Sequence, residues 1–317
     1  MACSEPIVFE PLAMERVWGG RRLEALYGKR LPHGAPIGES WEIVDREDAQ
    51  SVVHQGPLRG TTLHELWTGR RGEIFGAEYE HEKSRRFPIL IKLLDARERL
   101  SVQVHPPIHM AATLRGEPKT EMWYFADALP GSSIYAGLKK GVTRSQFESL
   151  LRDGRVEEAL HVIPVESGDS IFIPSGRLHA IGEGNVIVEV QQNSDTTYRV
   201  FDWNRTGLDG RPRKLHLEES LVSADFTDFE PTVNHIKSGM LAECPYFKVE
   251  KETFSDPIPA LSAPRFAIYN VLAGGVTCAG ITFRPGDFFL VPASLTTATL
   301  TPTADNSVIL RATLPVR

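Results

Sequence analysis

The chain has 317 residues, of which 41% are hydrophobic and 24% are charged, values that are ordinary for a globular protein with a sizeable core. Its formal net charge is −6 at pH 7, and no cluster of Lys and Arg marks a nucleic-acid-binding surface. Composition therefore excludes a nucleic-acid partner and favours a small-molecule function.

The N-terminal segment lacks the basic and then apolar stretches of a secretory signal, and no run reaches about 18 apolar residues. We therefore expect a cytoplasmic protein with no membrane partner. The three cysteines, Cys3, Cys244 and Cys278, are far apart and odd in number. Neither a disulfide framework nor a CxxC metal site is expected.

Short strands with turns between them are predicted for the first 60 residues. Strand-forming residues cluster at positions 7–9, 41–44 and 51–54, whereas RVWGG (16–20) and GESW (38–41) have the composition of loops. Farther on, Leu63, Leu66 and Trp67 have helical spacing, which predicts a helix within residues 62–75.

Lys92 interrupts the apolar run FPILIKLL at residues 87–94. A lysine in such a strand usually lies at a sheet edge, where its stem covers apolar surface. The alternative is a cation directed at an anionic substrate, and the pattern leaves both interpretations open.

Polar residues alternate with apolar ones in LSVQVHP, at residues 100–106. Because side chains alternate in a strand, Ser101, Gln103 and His105 are predicted to project from one face. In isolation this pattern is more typical of an amphipathic strand facing solvent. Glu121 follows where a polar loop becomes the apolar strand predicted at residues 122–125.

A helical insertion is predicted at about residues 141–160, between β segments. Thr143 can cap a helix that carries Phe147, Leu150 and Leu151, and a second short helix is predicted after Gly154. Residues 214–224 are predicted to form a connecting helix.

Residues 168–205 combine strand-like alternation with polar side chains. Pro174 ends one predicted strand, and His179 follows in a bend. Glu189 shares a face with Gln191 in the next strand, and Arg199 lies within a further strand. A histidine, a carboxylate and a guanidinium are thus expected on adjacent strands or their connections.

An internal repeat links the two halves of the chain. GDFFLVPA (286–293) aligns without gaps on GDSIFIPS (168–175) and places Thr297 opposite His179. We interpret this as two copies of one β unit and predict a mainly β fold of paired jelly rolls. The domains are predicted at residues 1–233, including the insertion, and 234–317, without metal ligands.

A metal site is predicted from four candidate ligands, Gln103, His105, Glu121 and His179. Imidazole nitrogen with carboxylate and amide oxygen suits Zn²⁺ and also tolerates Mn²⁺, Fe²⁺ or Co²⁺. Any one of these residues alone would more often be structural. Their position at strand edges of one β domain favours a shared site.

The sequence resembles the type I mannose-6-phosphate isomerases, zinc enzymes of the cupin superfamily, in their short bacterial form. The matching motifs are SVQVHP (101–106), KTEMWY (119–124), PSGRLHAIG (174–182) and EVQQNSDTTYRVFDWNR (189–205). WGG (18–20) and GESW (38–41) support them, and the resemblance spans roughly residues 9–225.

The resemblance implies cupin (jelly-roll) barrels, one Zn²⁺ per chain bound by the four candidate ligands, and interconversion of mannose 6-phosphate and fructose 6-phosphate. It implies that Arg199 is catalytic and that Lys119 and Glu189 belong to the active site. The residues similar to those that meet the phosphate are Ser101, Lys92 and Arg205. A sugar phosphate is the expected partner of a monomer or weak homodimer. Pro107 and Arg177 depart from the family pattern, and Arg177 is expected to narrow the pocket or add a positive charge.

Aldose–ketose isomerisation moves a proton between C1 and C2 through an enediol, so it needs an acid/base and a group that stabilises oxyanion charge. We prefer Glu189 as the proton carrier, with Lys119 as the competitor and Arg199 as the stabilising cation. Three alternatives stay open: a non-catalytic cupin that binds a sugar phosphate, an isomerase of a related or unphosphorylated sugar, and an iron cupin dioxygenase.

Overall fold

Antiparallel strands dominate the computed structural model of the chain, which describes residues 3–315. The strands in this range are β1 (Leu12–Gly20), β2 (Ile37–Ile43), β3 (Ile89–Ala96), β4 (Val102–Val104), β5 (Glu121–Ala128), β6 (Ser133–Leu138), β7 (Leu160–Pro164), β8 (Ser170–Ile173), β9 (His179–Ile181), β10 (Asn185–Gln192), β11 (Tyr198–Phe201), β12 (Gly239–Glu243), β13 (Lys248–Phe254), β14 (Ile258–Pro259), β15 (Ala267–Ala273), β16 (Val276–Cys278), β17 (Ile281–Phe283), β18 (Phe288–Val291), β19 (Thr299–Pro302) and β20 (Ser307–Thr313). The α-helices are α1 (Arg22–Tyr27), α2 (Leu63–Gly69), α3 (Arg71–Ile74), α4 (Ile108–Ala111), α5 (Arg144–Arg152) and α6 (Leu217–Ser223). The prediction of a mainly β fold is confirmed.

The first unit consists of two antiparallel sheets. The larger has the order β1-β2-β3-β10-β5-β8 and the smaller β11-β4-β9-β6-β7. Trp18, Leu94 and Trp123 from the larger sheet pack in one buried cluster with Ile134 and Ile181 from the smaller. The two sheets therefore enclose a common interior, which is the arrangement of a jelly roll.

The second unit repeats this plan with the sheets β12-β13-β20-β15-β18 and β14-β19-β16-β17. Aromatic rings fill its core: Phe289 stacks on Phe283 with ring centroids 3.8 Å apart and on Tyr269 at 5.3 Å. Aromatic side chains therefore occupy the interior of this unit.

The internal repeat corresponds to a shared local structure. Gly168 and Gly286 both have positive φ, 98° and 88°, and each precedes an edge strand, β8 or β18. Asp169 and Asp287 each accept a hydrogen bond from a backbone N–H three residues earlier, at 2.9 and 2.7 Å. The same turn thus starts the corresponding strand in each unit.

The helices predicted within residues 62–75 and from Thr143 onwards are confirmed. Thr62 and Thr143 each form a capping box, with Glu65 and Gln146, at the start of α2 and α5. The second helix of the insertion is a 3-10 turn, Val156–Ala159, and the connecting helix is the short α6. The insertion packs on the outer face of the smaller sheet, since Phe147 and Val156 share a cluster with Val102.

Two predicted loops are wrong, because RVWGG lies largely in β1 and GESW lies in β2. A Cβ on Gly19 would come within 2.3 Å of the Gly38 backbone, so these glycines permit close approach of two strands and do not mark turns. Segments 7–9 and 51–54 form only isolated bridges.

The N-terminal segment contacts the second unit. Ile7 and Leu290 of β18 exchange two backbone hydrogen bonds, of 2.8 and 2.9 Å. Buried residues of both units, including Phe87 and Phe266, belong to one hydrophobic cluster. In residues 3–315 no helix is both long and apolar enough to cross a bilayer.

Candidate metal centre

Three polar residues form a row across the smaller sheet of the first unit. Gln103 in β4 pairs with His179 in β9 on one side and with Arg199 in β11 on the other. The polar alternation in LSVQVHP therefore faces a site and not solvent, since Ser101 and His105 are buried. Sequence alternation placed these residues on one face, and strand pairing brings His179 and Arg199 to it.

His105, Glu121 and His179 converge in the interior. One candidate ligand atom from each lies within 4.8 Å of the others, and each residue is about 1% exposed. The Nε2 atoms of His105 and His179 lie 3.5 Å from different oxygens of Glu121. Glu121 starts β5 in the larger sheet, so the cluster joins the two sheets.

Backbone carbonyls fix the orientation of both imidazoles. His105 Nδ1 is 2.9 Å from the Thr196 carbonyl oxygen, and His179 Nδ1 is 2.8 Å from that of Arg177. Because a carbonyl oxygen only accepts, we assign the ring proton to Nδ1 in each case. Each Nε2 then presents a lone pair towards Glu121, as a metal ligand requires.

Burial and charge favour the ligand protonation states. Burial, with a smaller effect of Lys119, lowers the pKa of His105 to about 3, and burial likewise lowers the pKa of His179. Burial opposes ionisation of Glu121, but the nearby charge of Lys119 favours it, and the pKa of that carboxyl is held well below its usual range. The cluster therefore offers two neutral imidazoles and one carboxylate.

The cluster fits a divalent cation. His105 Nε2 and Glu121 Oε2 are buried and have no hydrogen-bond partner among the described residues, although Lys119 Nζ forms an ion pair with that oxygen at 3.1 Å. Buried polar atoms are rarely left unpaired, so the unpartnered His105 Nε2, 3.5 Å from the Glu121 carboxylate, indicates a bound ligand. Nitrogen and oxygen donors in this combination are typical of zinc and similar metals.

Lys119 and Glu189 lie beside this cluster. Lys119 Nζ is 4.0 Å from Glu189 Oε1, and the indole N–H of Trp123 donates to Glu189 Oε2 at 3.0 Å. Burial lowers the pKa of Lys119, but Glu121 and Glu189 reverse the shift and raise it. Burial and Glu121 raise the pKa of Glu189 despite the opposing lysines. An acid/base group and a cation are thus adjacent to the candidate metal ligands.

The expectation that Lys92 lies at a sheet edge is wrong. It belongs to β3, an interior strand, and is 3% exposed. Its Nζ lies 3.4 Å from Glu189 and 4.0 Å from Glu39, and 5.1 Å from the Trp41 ring centroid. The edge interpretation failed because the order of strands in the sheet is not visible in one strand's composition.

The residues predicted to meet a phosphate lie in two different contact networks. Lys92 is bound within the glutamate cluster just described. Ser101 is buried immediately before β4, and Arg205 follows β11, where its guanidinium binds Asp202. The register of Phe201 with Val102 brings the ends of β11 and β4 together.

The two departures from the family pattern have structural roles. Arg177 donates two hydrogen bonds of 2.7 Å to the carboxylate of Asp228, so its charge is already paired. Pro107 precedes α4, and its carbonyl accepts the N–H groups of Met110 and Ala111.

Several contacts at the site could not be found from side-chain identity. The carbonyls of Thr196 and Arg177 carry no residue-type signal, and the contacts of Glu39 and Trp123 depend on strand register. For Glu39 and Trp123 the sequence signal was their presence within the motifs GESW and KTEMWY.

The sequence is similar to that of known proteins over most of its length. A family model described as the catalytic domain of type I phosphomannose isomerase matches residues 8–128. The mannose-6-phosphate isomerase ManA of Bacillus subtilis is 36% identical over 308 residues, covering 92% of this chain and 94% of the relative. The mannose-6-phosphate isomerase of Streptococcus mutans is 35% identical over 303 residues with the same coverage.

The fold also matches solved structures. The crystal structure of the mannose 6-phosphate isomerase from Bacillus subtilis superimposes with a TM-score of 0.87 at 29% identity, covering 98% of this chain and 100% of that one. An apo mannose 6-phosphate isomerase from Salmonella typhimurium has a TM-score of 0.76 at 17% identity, covering 99% and 100%. At that identity the second match supports the fold alone.

Proposed function

The chain belongs to the type I phosphomannose isomerase family, and we propose that it is a metal-dependent aldose–ketose isomerase that interconverts mannose 6-phosphate and fructose 6-phosphate. The observation that carries the proposal is the buried cluster of His105, Glu121 and His179, which has an ionisable pair, Lys119 and Glu189, beside it. Binding of a sugar alone would not require an acid/base next to a metal site.

We propose Zn²⁺ as the metal, one per chain, with Gln103, His105, Glu121 and His179 as its ligands. The convergence of His105, Glu121 and His179 and the unpartnered His105 Nε2 support this set, and Gln103 lies opposite His179 in the strand register. When bound, such a metal polarises the sugar oxygens at C1 and C2.

In the proposed reaction Glu189 carries a proton between carbons of the substrate. It removes the proton from C2 of the aldose and returns it to C1, while the hydroxyl proton passes from O2 to O1. Glu189 Oε1 is buried and has no hydrogen-bond partner among the described residues, which leaves it able to accept this proton. Lys119, 4.0 Å away, is the competing candidate.

Arg199 is proposed to stabilise the negative charge of the enediolate. It lies opposite Gln103, and its Nε is buried without a hydrogen-bond partner in residues 3–315. A permanently charged guanidinium held in place before reaction needs no reorganisation when charge develops. Ser101, Lys92 and Arg205 are proposed to bind the phosphate.

Metal analysis followed by a coupled assay with mannose 6-phosphate tests the function. We expect isomerisation that is lost with a chelator and restored by Zn²⁺. Sugar-phosphate binding without turnover would instead indicate a non-catalytic cupin, and oxygen uptake would indicate a dioxygenase. Equal turnover of free mannose would contradict the phosphorylated substrate. Three further points stay predictions: a division into domains between residues 233 and 234, a monomeric or weakly dimeric state, and a cytoplasmic location.

A further inference from the structure

Three guanidinium groups gather around one carboxylate where β11 ends. Asp202 is 5% exposed and accepts hydrogen bonds from Arg205 Nε at 3.0 Å and from Arg213 Nε and NH2 at 2.7 and 2.5 Å. Arg199 lies next to Arg213, because its NH1 donates to the carbonyl of Lys214, the residue after Arg213, at 2.8 Å. Only one of the three positive charges is neutralised by Asp202.

The cluster retains an unused donor. Asp202 occupies Nε and NH2 of Arg213, which leaves NH1 for another acceptor. Arg205 donates Nε to Asp202 and NH1 to the Arg99 carbonyl, and its buried NH2 lies 3.0 Å from Asp202 Oδ1. Partly buried guanidiniums with an excess of positive charge and an N–H group left over are suited to a phosphate.

The backbone is shaped to hold this arrangement. Trp203 and Asn204 have φ of 56° each, and the Arg205 N–H binds the Asp202 carbonyl at 3.1 Å, which closes a tight turn of the I′ kind. Asparagine tolerates this conformation, but tryptophan rarely adopts it. Trp203 is fixed there by its indole N–H, which donates to the Leu100 carbonyl at 2.6 Å. The turn places the Arg205 guanidinium back on Asp202.

The cluster lies at a suitable distance from the metal ligands. Ser101 precedes Gln103 by two residues on the same face, which at about 3.4 Å per residue corresponds to about 7 Å along the strand. Phe201 pairs with Val102, so Asp202 lies near Ser101. A sugar phosphate with C1 and C2 at the metal ligands would therefore direct its C6 phosphate towards this end of β4 and β11.

We propose that Arg213 is a phosphate-binding residue additional to Arg205, and that Asp202 is a positioning residue that orients both guanidiniums. The inference rests on the proposed isomerase function and extends it to Arg213, outside the motif that carries Arg205, and to Asp202 within that motif. Asp202 does not touch the phosphate and acts through the two arginines.

The test compares Arg213→Gln, Arg213→Lys and Asp202→Asn with Arg211→Gln, an exposed arginine in the same loop. For Arg213→Gln we expect KM for mannose 6-phosphate to rise about tenfold or more with kcat within about twofold, because a charge-assisted contact to the phosphate is lost. Arg213→Lys should retain part of the affinity, and Arg211→Gln should match the wild type. An unchanged KM in Arg213→Gln would overturn the proposal.

A double-mutant cycle tests the positioning role. If Asp202 acts through Arg213, the KM of Asp202→Asn/Arg213→Gln should be close to that of Asp202→Asn alone, so the two effects should not multiply. Independent, multiplicative effects would overturn this part of the proposal. Should Asp202→Asn fail to fold, the Arg213 variants still decide the phosphate contact.

Calorimetric titration of the metal-loaded protein with inorganic phosphate separates this inference from the proposed function. If the wild type fails to isomerise mannose 6-phosphate, the proposed function is wrong, but weaker phosphate binding in Arg213→Gln than in Arg211→Gln would still support the subsite. Equal phosphate binding by the wild type, Arg213→Gln and Arg211→Gln would overturn the subsite whether or not the enzyme is active.

Discussion

Gln103 and His179 lie opposite each other on the antiparallel strands β4 and β9, although 76 positions separate them in the chain. This pairing joins two of the three segments that carry candidate metal ligands, and Glu121 at the start of β5 is the third. Because the side chains of directly opposed residues project from the same face, the amide and the imidazole reach the same interior.

Removal of His179 should abolish metal retention. We expect His179→Ala to contain little metal and to lose about 10³-fold in kcat/KM, because polarisation of the sugar oxygens contributes several kcal/mol to lowering the barrier. Elemental analysis measures the metal content, and the coupled assay measures kcat/KM. His161→Ala, a histidine in β7, the edge strand of the smaller sheet, is the control. Full activity with no bound metal would contradict the assignment.

Local patterns in the sequence predicted the parts of the structure that depend on local chemistry. The spacing of Leu63, Leu66 and Trp67 and the cap at Thr143 each involve residues three or four positions apart. The alternation of Ser101, Gln103 and His105 is a property of one strand. Such features are encoded within a few residues, so they do not depend on how distant parts of the chain pair.

Features that depend on sheet order could not be predicted in this way. Lys92 was ambiguous because its strand could have been an edge or an interior one, and only the pairing of β3 with β2 and β10 decides it. Gly38 looked like a turn residue, but a Cβ there would come within 2.6 Å of Arg16. Contacts between residues far apart in the chain therefore decide which charges Lys92 meets and why a glycine is needed at position 38.

Replacement of Glu189 by glutamine should remove the proton carrier and keep the metal. We expect kcat to fall about 10²- to 10⁴-fold with little change in KM, because general acid–base catalysis contributes on that order. Steady-state kinetics with metal analysis checks this, and the exposed Glu47→Gln is the control. A Glu189→Gln protein that keeps both its metal and most of its turnover would transfer the role to Lys119.

Glu39 should make stability depend on pH. Burial opposes its ionisation, but Lys92, Arg16 and the indole N–H of Trp41 lower its pKa from 4.5 to about 2. A lowered pKa contributes stability above the unfolded value that is lost as pH falls through the folded value. We expect Glu39→Gln to lower the free energy of unfolding by about 3 kcal/mol at pH 7.

Denaturant unfolding of wild type and Glu39→Gln at several pH values tests this linkage. The difference between the two proteins should be constant above about pH 5 and should shrink between pH 4.5 and about 2. A difference that does not vary with pH would show that the carboxylate charge of Glu39 is not the origin of the stabilisation.

Phe289 should be important for stability and not for catalysis. Its ring lies between Phe283 and Tyr269 in the second unit and is fully buried. Phe289→Ala should cost about 3–5 kcal/mol of unfolding free energy, because it leaves a cavity and removes two stacking contacts. Phe289→Leu should cost less. The kcat of folded Phe289→Ala should match the wild type, and a loss of kcat with intact thermal unfolding would link this unit to the site.

Arg177 should stabilise the fold without determining the substrate. Its guanidinium is paired with Asp228, and the contact it makes to His179 comes from its backbone carbonyl, which any residue supplies. Arg177→Ser should therefore keep KM and kcat within about threefold and lower the free energy of unfolding by about 3–5 kcal/mol, since it leaves Asp228 unpaired. Arg177→Ser/Asp228→Asn should recover part of that loss. A large change in KM for mannose 6-phosphate in Arg177→Ser would instead place the Arg177 charge in the substrate pocket.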